Sequence, residues 1–211
     1  MKRIGVTQRV EIVASHGERR DCLDQQWAAL LEKLGYLLVP VPNGLAAPDS
    51  WLETMGLDGF ILSGGNDLAH LPEASRPSPE RDATETAILD HARERQVPVL
   101  GVCRGLQMMN VYLGGNLVAV EGHVATRHSV MPEDGEPLFS AFSEVNSFHD
   151  WAIAAEGLAE MLLPGARCQD GTIEAARHAS LPWACIMWHP ERESPFAEAD
   201  LGLLKTIFRG E

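Results

Sequence analysis

Cys103 lies within the stretch Val97-Pro98-Val99-Leu100-Gly101-Val102-Cys103-Arg104-Gly105-Leu106-Gln107, in which an apolar run ends in the pattern Gly-x-Cys-x-Gly. This is the cysteine form of the nucleophile elbow, a tight strand-to-helix turn that pushes the sulfur out of the sheet edge. The N-terminus of the following helix favours a thiolate and offers backbone N–H groups to a developing oxyanion. A thiolate nucleophile needs a base, and the base needs a group to orient it. Trp188-His189-Pro190-Glu191 supplies an imidazole and a carboxylate two residues apart. Along an extended or turning backbone they fall on one side, so Glu191 can hold one ring nitrogen while the other faces Cys103. Taken singly, a cysteine between two packing glycines and a histidine beside a proline are ordinary structural residues; together they make a catalytic set.

The elements that must position this set alternate strand with helix. Arg3–Thr7, Leu37–Pro42, Gly59–Leu62 and Pro98–Val102 read as short buried strands, and Asp24–Leu34, Ala83–Glu94 and Gly105–Leu113 as helices. Strands separated by 10–15-residue helices imply βαβ crossovers and a parallel sheet. The third strand stops at Ser63-Gly64-Gly65-Asn66-Asp67, where a glycine pair marks a turn of unusual backbone angles. Beyond Gly122 the pieces are shorter, with a late strand at Pro182–Met187, a last helix near Asp200–Phe208, and room for added antiparallel strands.

The chain has 211 residues, a length suited to one domain spanning residues 1–211. Seventeen Lys and Arg against thirty Asp and Glu give a net charge of −13, which argues against a nucleic acid or an anionic membrane surface as partner. The N-terminal residues lack the apolar run and cleavage site of a secretory signal and no apolar run reaches ~18 residues, so neither a leader nor a spanning helix is expected. Cys22, Cys103, Cys168 and Cys185 lie far apart without a CxxC pair, as expected of reduced thiols in the cytoplasm. Glu121, His123, His128 and His178 could suggest a metal, but none stands at i, i+4 on a helix and no cysteine is near in sequence, so they read as loop residues beside the pocket. The expectation is therefore an enzyme with neither metal nor organic cofactor.

The chain resembles the class I glutamine amidotransferase superfamily, and within it the γ-glutamyl hydrolase-like branch, the C26 cysteine peptidases. The resemblance rests on Leu62-Ser63-Gly64-Gly65-Asn66-Asp67, Arg81-Asp82-Ala83-Thr84-Glu85, Gly101-Val102-Cys103-Arg104-Gly105-Leu106-Gln107 with Asn110 and Leu113-Gly114-Gly115, Val145-Asn146-Ser147-Phe148-His149 and Trp188-His189-Pro190-Glu191, in order from about residue 3 to 208. It implies a three-layer, flavodoxin-like α/β fold with a mostly parallel central sheet and helices on both faces. It also implies a Cys103-His189-Glu191 triad that cleaves a γ-glutamyl amide through a thioester. The oxyanion hole would come from the backbone N–H of Arg104 and of the Gly64-Gly65 turn, and Gln107, Asn146, Ser147, Phe148 and His149 would hold the glutamyl group, with a purely structural role for His149 as the competing account. Arg81 and Glu85 would fix the loop over the site; a solvated helix cap explains them equally well.

Two features bear on the substrate. The turn reads Ser-Gly-Gly-Asn-Asp-Leu, unlike that of the γ-glutamyl-polyamine hydrolases, and the loop after the elbow helix is short. Thr7-Gln8-Arg9, Arg19-Arg20-Asp21 and Gly64–Leu68 look more like the enzymes of capsular phosphoramidate biosynthesis, in which a γ-glutamyl-CDP-amidate loses glutamate to leave cytidine diphosphoramidate. A diphosphate next to the scissile bond calls for cations, and Arg9, Arg19, Arg20 and Arg104 could supply them; arginines are also commonly just solvated. The alternatives are a γ-glutamyl-GABA-type hydrolase, a glutaminase subunit delivering ammonia to a separate synthetase, and a non-catalytic, ligand-sensing or chaperone-like relative, against which the retained His189 and Glu191 argue.

Overall fold

A computed structural model describes residues 1–72 and 74–209. In chain order the elements are β1 (Arg3–Thr7), β2 (Arg9–Val13), β3 (Glu18–Cys22), α1 (Gln26–Lys33), β4 (Leu37–Val41), α2 (Pro48–Met55), β5 (Gly59–Leu62), α3 (Pro79–Arg95), β6 (Val99–Val102) and α4 (Arg104–Tyr112). There follow β7 (Val118–Ala119), β8 (Val124–Pro132), β9 (Glu144–Phe148), β10 (Trp151–Ala152), β11 (Leu162–Cys168), β12 (Ile173–His178), β13 (Trp183–Ile186) and α5 (Glu198–Arg209). A nine-stranded sheet runs in the order β4-β1-β5-β6-β13-β12-β11-β8-β9. Its first five strands are mutually parallel, and β12, β11, β8 and β9 continue it antiparallel.

Side-chain alternation along these strands divides the core between two faces. Ile4, Val6, Ile61, Leu100 and Val102 pack with Trp27 and Leu30 of α1 and Leu204 and Phe208 of α5. Phe60, Leu62 and Val99 point the other way, onto Leu52 of α2, Ile88 and Leu89 of α3 and Leu106 and Met109 of α4. The result is the three-layer, flavodoxin-like architecture expected, because a parallel sheet buried on both sides must have helices on both faces.

The element boundaries differ from expectation in instructive ways. α3 starts four residues earlier than the apolar pattern suggests, because Pro79 opens the helix at a position where its missing N–H costs nothing. α2 was not expected; Leu52 is its one buried residue, so it lacks an apolar stripe. The hairpin of β2 and β3 pairs Arg9 with Cys22 through Val13 with Glu18, and most of its side chains are polar. The late strand β13 lies parallel to β6, pairing Trp183 with Val99 and Ile186 with Val102, so the last parallel strand inserts between the two halves of the sheet.

Candidate active site

The elbow is strained at its centre. Cys103 has φ 52° and ψ −105°, a left-handed conformation that a non-glycine residue keeps only when its surroundings enforce it, at about 1–3 kcal/mol. The flanking glycines show what enforces it. A Cβ on Gly105 would stand 2.1 Å from the Leu62 carbonyl oxygen, and one on Gly101 would stand 2.8 Å from the Gly105 carbonyl carbon and oxygen. Backbone therefore packs on backbone, and the cysteine takes up the bend. Its N–H donates to Ile186 O at 2.8 Å, tying the elbow to β13, the strand that leads to His189.

His189 is buried, and its Nδ1 meets Glu191 Oε1 at 2.7 Å. Its Nε2 has no hydrogen-bond partner among the described residues. Burial pulls the imidazole down, but the neighbouring Cys103 and Glu191 outweigh it and lift the pKa to about 9. The ring packs against the glycine turn, where a Cβ on Gly64 would stand 2.5 Å from His189 Cε1.

Asn146 holds the backbone of this histidine rather than offering its amide to a pocket. It accepts from His189 N at 2.9 Å and donates to His189 O at 2.9 Å and to Glu193 Oε1 at 2.7 Å. Ser147 is likewise used internally, donating to His123 O at 2.6 Å. Gln107 is buried in α4 and donates to Trp151 O at 2.8 Å. Phe148 is exposed, with its ring 5.8 Å from that of His189 and the Arg192 guanidinium 4.4 Å above it, so it forms a wall of the site. His149 is buried and faces Glu174, with Nδ1 3.1 Å from Trp151 O.

The glycine turn is set from below by Arg81, which is fully buried and so no solvated cap. It donates to the carbonyls of Ser63 at 2.5 Å, Gly64 at 3.1 Å and Gly65 at 2.5 Å. Because C=O and N–H point opposite ways across a trans peptide, carbonyls turned toward Arg81 send the Gly64 and Gly65 N–H groups the other way. Glu85, also fully buried, accepts from Thr7 at 2.8 Å, from Arg81 at 2.9 Å and from Arg104. Burial would raise this carboxyl, but Arg104 and Arg81 hold it below its usual range.

The arginines suggested for a diphosphate part company. Arg104 is enclosed between Glu85 and Asp82, so its guanidinium serves the network and cannot reach a ligand; only its backbone faces the elbow. Arg19 pairs with Glu80 and Arg20 with Glu18, and both side chains are exposed. Arg9 also pairs, with Glu11 Oε1 3.1 Å from its Nε, but it lies over Gly65, its Cδ 3.0 Å from where a Cβ would be, and lines the cleft with Trp27, Ser63, Gly64 and His189.

Sequence spacing misjudged the histidines. His178 accepts from Ser180 N and Leu181 N as a turn anchor, whereas His123 and His128 converge on His149 and Glu174, with Cys168 Sγ 3.5 Å from His128 Nδ1. No local signal announces Asn146 as a clamp or this cluster, since their partners lie tens of residues away.

All four cysteines are unpaired, and no described helix is long and apolar enough to cross a membrane.

The chain is 36% identical over 194 residues to the γ-glutamyl-CDP-amidate hydrolase of Campylobacter jejuni, covering 90% of each chain. It is 30% identical over 227 residues to the γ-glutamyl-γ-aminobutyrate hydrolase of Escherichia coli, covering 92% of this chain and 86% of that one. A glutamine amidotransferase from Thermotoga maritima shares the fold with a TM-score of 0.66 at 15% identity, over 97% of this chain and 82% of that one. The Peptidase C26 family model matches residues 3–191. The chain therefore belongs to the Peptidase C26 family, in the class I glutamine amidotransferase superfamily, and is a cysteine-dependent hydrolase.

Proposed function

We propose that this enzyme hydrolyses a γ-glutamyl amide through a thioester on Cys103, and that its substrate is γ-glutamyl-CDP-amidate. The observation that carries the chemistry is the strained elbow that presents Cys103 to a buried imidazole whose other nitrogen is held by Glu191 at 2.7 Å. Cys103 Sγ attacks the γ-carbonyl carbon as a thiolate. The oxygen takes up negative charge against the N–H groups of Arg104 and the Gly64-Gly65 turn. The C–N bond breaks as the His189 imidazolium gives its Nε2 proton to the leaving nitrogen. Neutral His189 then takes a proton from water, whose hydroxide cleaves the thioester to glutamate and regenerates the thiolate.

The substrate assignment is supported by the higher identity to the CDP-amidate hydrolase, 36% against 30%, and by Arg9 beside the glycine turn. Arg9 is the cation we assign to the diphosphate, with Arg19 and Arg20 following it on the same hairpin.

Glutamate release from glutamine, γ-glutamyl-GABA, γ-glutamyl dipeptides and γ-glutamyl-CDP-amidate, with Cys103→Ala as blank, tests both parts. The nucleotide substrate should be strongly preferred, and Arg9→Ala should weaken that preference without slowing the small amides. Preference for γ-glutamyl-GABA would move the enzyme to that branch. Silence across the panel, with Cys103 still alkylated by a glutamine-like electrophile, would instead make it a glutaminase subunit that waits for a separate synthetase.

A further inference from the structure

Beside the reaction centre, three histidine rings gather from β8, the residue before it and the residue after β9. The centroids of His123 and His149 are 4.8 Å apart, those of His123 and His128 5.0 Å, and those of His128 and His149 6.4 Å. Glu174 of β12 points among them, fully buried, and neither carboxylate oxygen has a hydrogen-bond partner among the described residues. Its Oε1 is 3.7 Å from His149 Nε2, and its Oε2 is 3.2 Å from His128 Nε2 but out of line for a hydrogen bond.

The outward nitrogen of each ring is anchored. His123 Nε2 meets Asp170 Oδ2 at 2.9 Å, His149 Nδ1 meets Trp151 O at 3.1 Å, and His128 Nδ1 meets Cys168 Sγ at 3.5 Å. A carboxylate and a carbonyl only accept, so in the neutral rings the protons sit on His123 Nε2 and His149 Nδ1. The inward nitrogens, His123 Nδ1 and His149 Nε2, then present lone pairs toward a buried carboxylate. Lone pairs and a carboxylate gathered out of reach of water call for a positive charge between them.

We propose that His123, His149 and Glu174 bind one divalent transition-metal ion of the zinc type, with His128 Nε2 as the fourth ligand. Donor atoms of His123, His149 and Glu174 lie within 4.8 Å of one another. Ligands ~2.0–2.2 Å from a tetrahedral zinc stand roughly 3.3–3.5 Å apart, close to the 3.7 Å between Glu174 Oε1 and His149 Nε2, while His128 Nε2 lies 3.2 Å from the other carboxylate oxygen, Oε2. Asp170 and the Trp151 carbonyl are the outer-shell partners that fix ring orientation in metal-bound histidines. Trp151 O also accepts from Gln107 in the elbow helix at 2.8 Å, so an ion here would brace the wall of the reaction chamber.

The test is zinc chloride titrated into chelator-stripped full-length protein carrying Cys103→Ala, which keeps the reactive thiol from holding the ion. Calorimetry and elemental analysis after dialysis should give one zinc per chain, and the melting temperature should rise with zinc. Glu174→Gln and His123→Asn should each weaken binding by more than about 100-fold, and Asp170→Asn by about 10–100-fold, as outer-shell losses do. Melting of each variant without metal establishes that it is folded, and visible cobalt bands of a tetrahedral site without thiolate absorption would support the ligand set. The proposal is overturned if the Cys103→Ala protein binds no zinc, or if folded Glu174→Gln and His123→Asn proteins bind it as tightly as their parent.

Discussion

Gly105→Ala asks whether the close approach of backbone to backbone sets the catalytic geometry. The added Cβ would lie 2.1 Å from Leu62 O and 2.8 Å from Leu62 Cβ, whereas real Cβ contacts essentially never fall below 3.0 Å, so β5 and α4 must part by about 0.9 Å. Neither neighbour can yield cheaply: Leu62 O belongs to the sheet, and the elbow is tied to β13 through Cys103 N. Overpacking of this kind costs about 1–3 kcal/mol of stability. β5 runs directly into the Ser63–Gly65 turn and α4 begins at Cys103, so the same displacement separates the nucleophile from the glycine N–H groups. A misplacement of ~1 Å costs roughly 100-fold in rate. Urea unfolding and kcat/KM for glutamate release measure the two effects on one preparation. Gly202→Ala is the control: that glycine lies within α5 with nothing within 4 Å of its Cβ position, and the change should stabilise by about 0.5–1 kcal/mol without touching the rate. A Gly105→Ala enzyme with wild-type kcat/KM would refute the argument that this contact aligns the elbow with the turn.

His189→Asn should lower turnover by several orders of magnitude and Glu191→Gln by less, since the second leaves the imidazole in place; equal losses in single-turnover assays would contradict the division of roles. With its folded pKa raised to about 9, His189 contributes stability that is full below about 6.5 and lost as pH rises toward 9, so the unfolding free energies of wild type and His189→Asn should converge across that window. Asp200 is buried, accepts from Trp188 Nε1 at 2.9 Å, and has its pKa pushed up to about 6 by burial. A raised acid penalises the folded state once ionised, so Asp200→Asn, which can still accept that bond, should be more stable than wild type above pH 6, by up to about 3 kcal/mol, and should lose the advantage below pH 4. Glu85→Ala strands the Arg81 and Arg104 guanidiniums in the interior and should cost about 3–5 kcal/mol in urea unfolding; a loss under about 1 kcal/mol would mean that water reaches them.

What the sequence by itself determined is what short-range periodicity and turn chemistry encode. The buried runs at Arg3–Thr7, Gly59–Leu62 and Pro98–Val102, alternating with amphipathic helical stretches, specify a parallel sheet. Gly101-x-Cys103-x-Gly105 specifies the elbow, and His189-Pro190-Glu191 the orienting pair, because each is complete within a few residues. The tertiary structure alone decided everything built from partners far apart in the chain. Insertion of β13 beside β6 brings His189 to Cys103, and no local pattern gives that strand its neighbour. The Arg81–Glu85–Arg104 network turns an arginine suited to a phosphate into a buried strut, because ion pairing outweighs exposure once both carboxylates are close. Asn146 and the cluster of His123, His128, His149 and Glu174 acquire their partners only when β8, β9 and β12 come together, and strand register has no trace in the spacing of the residues it joins.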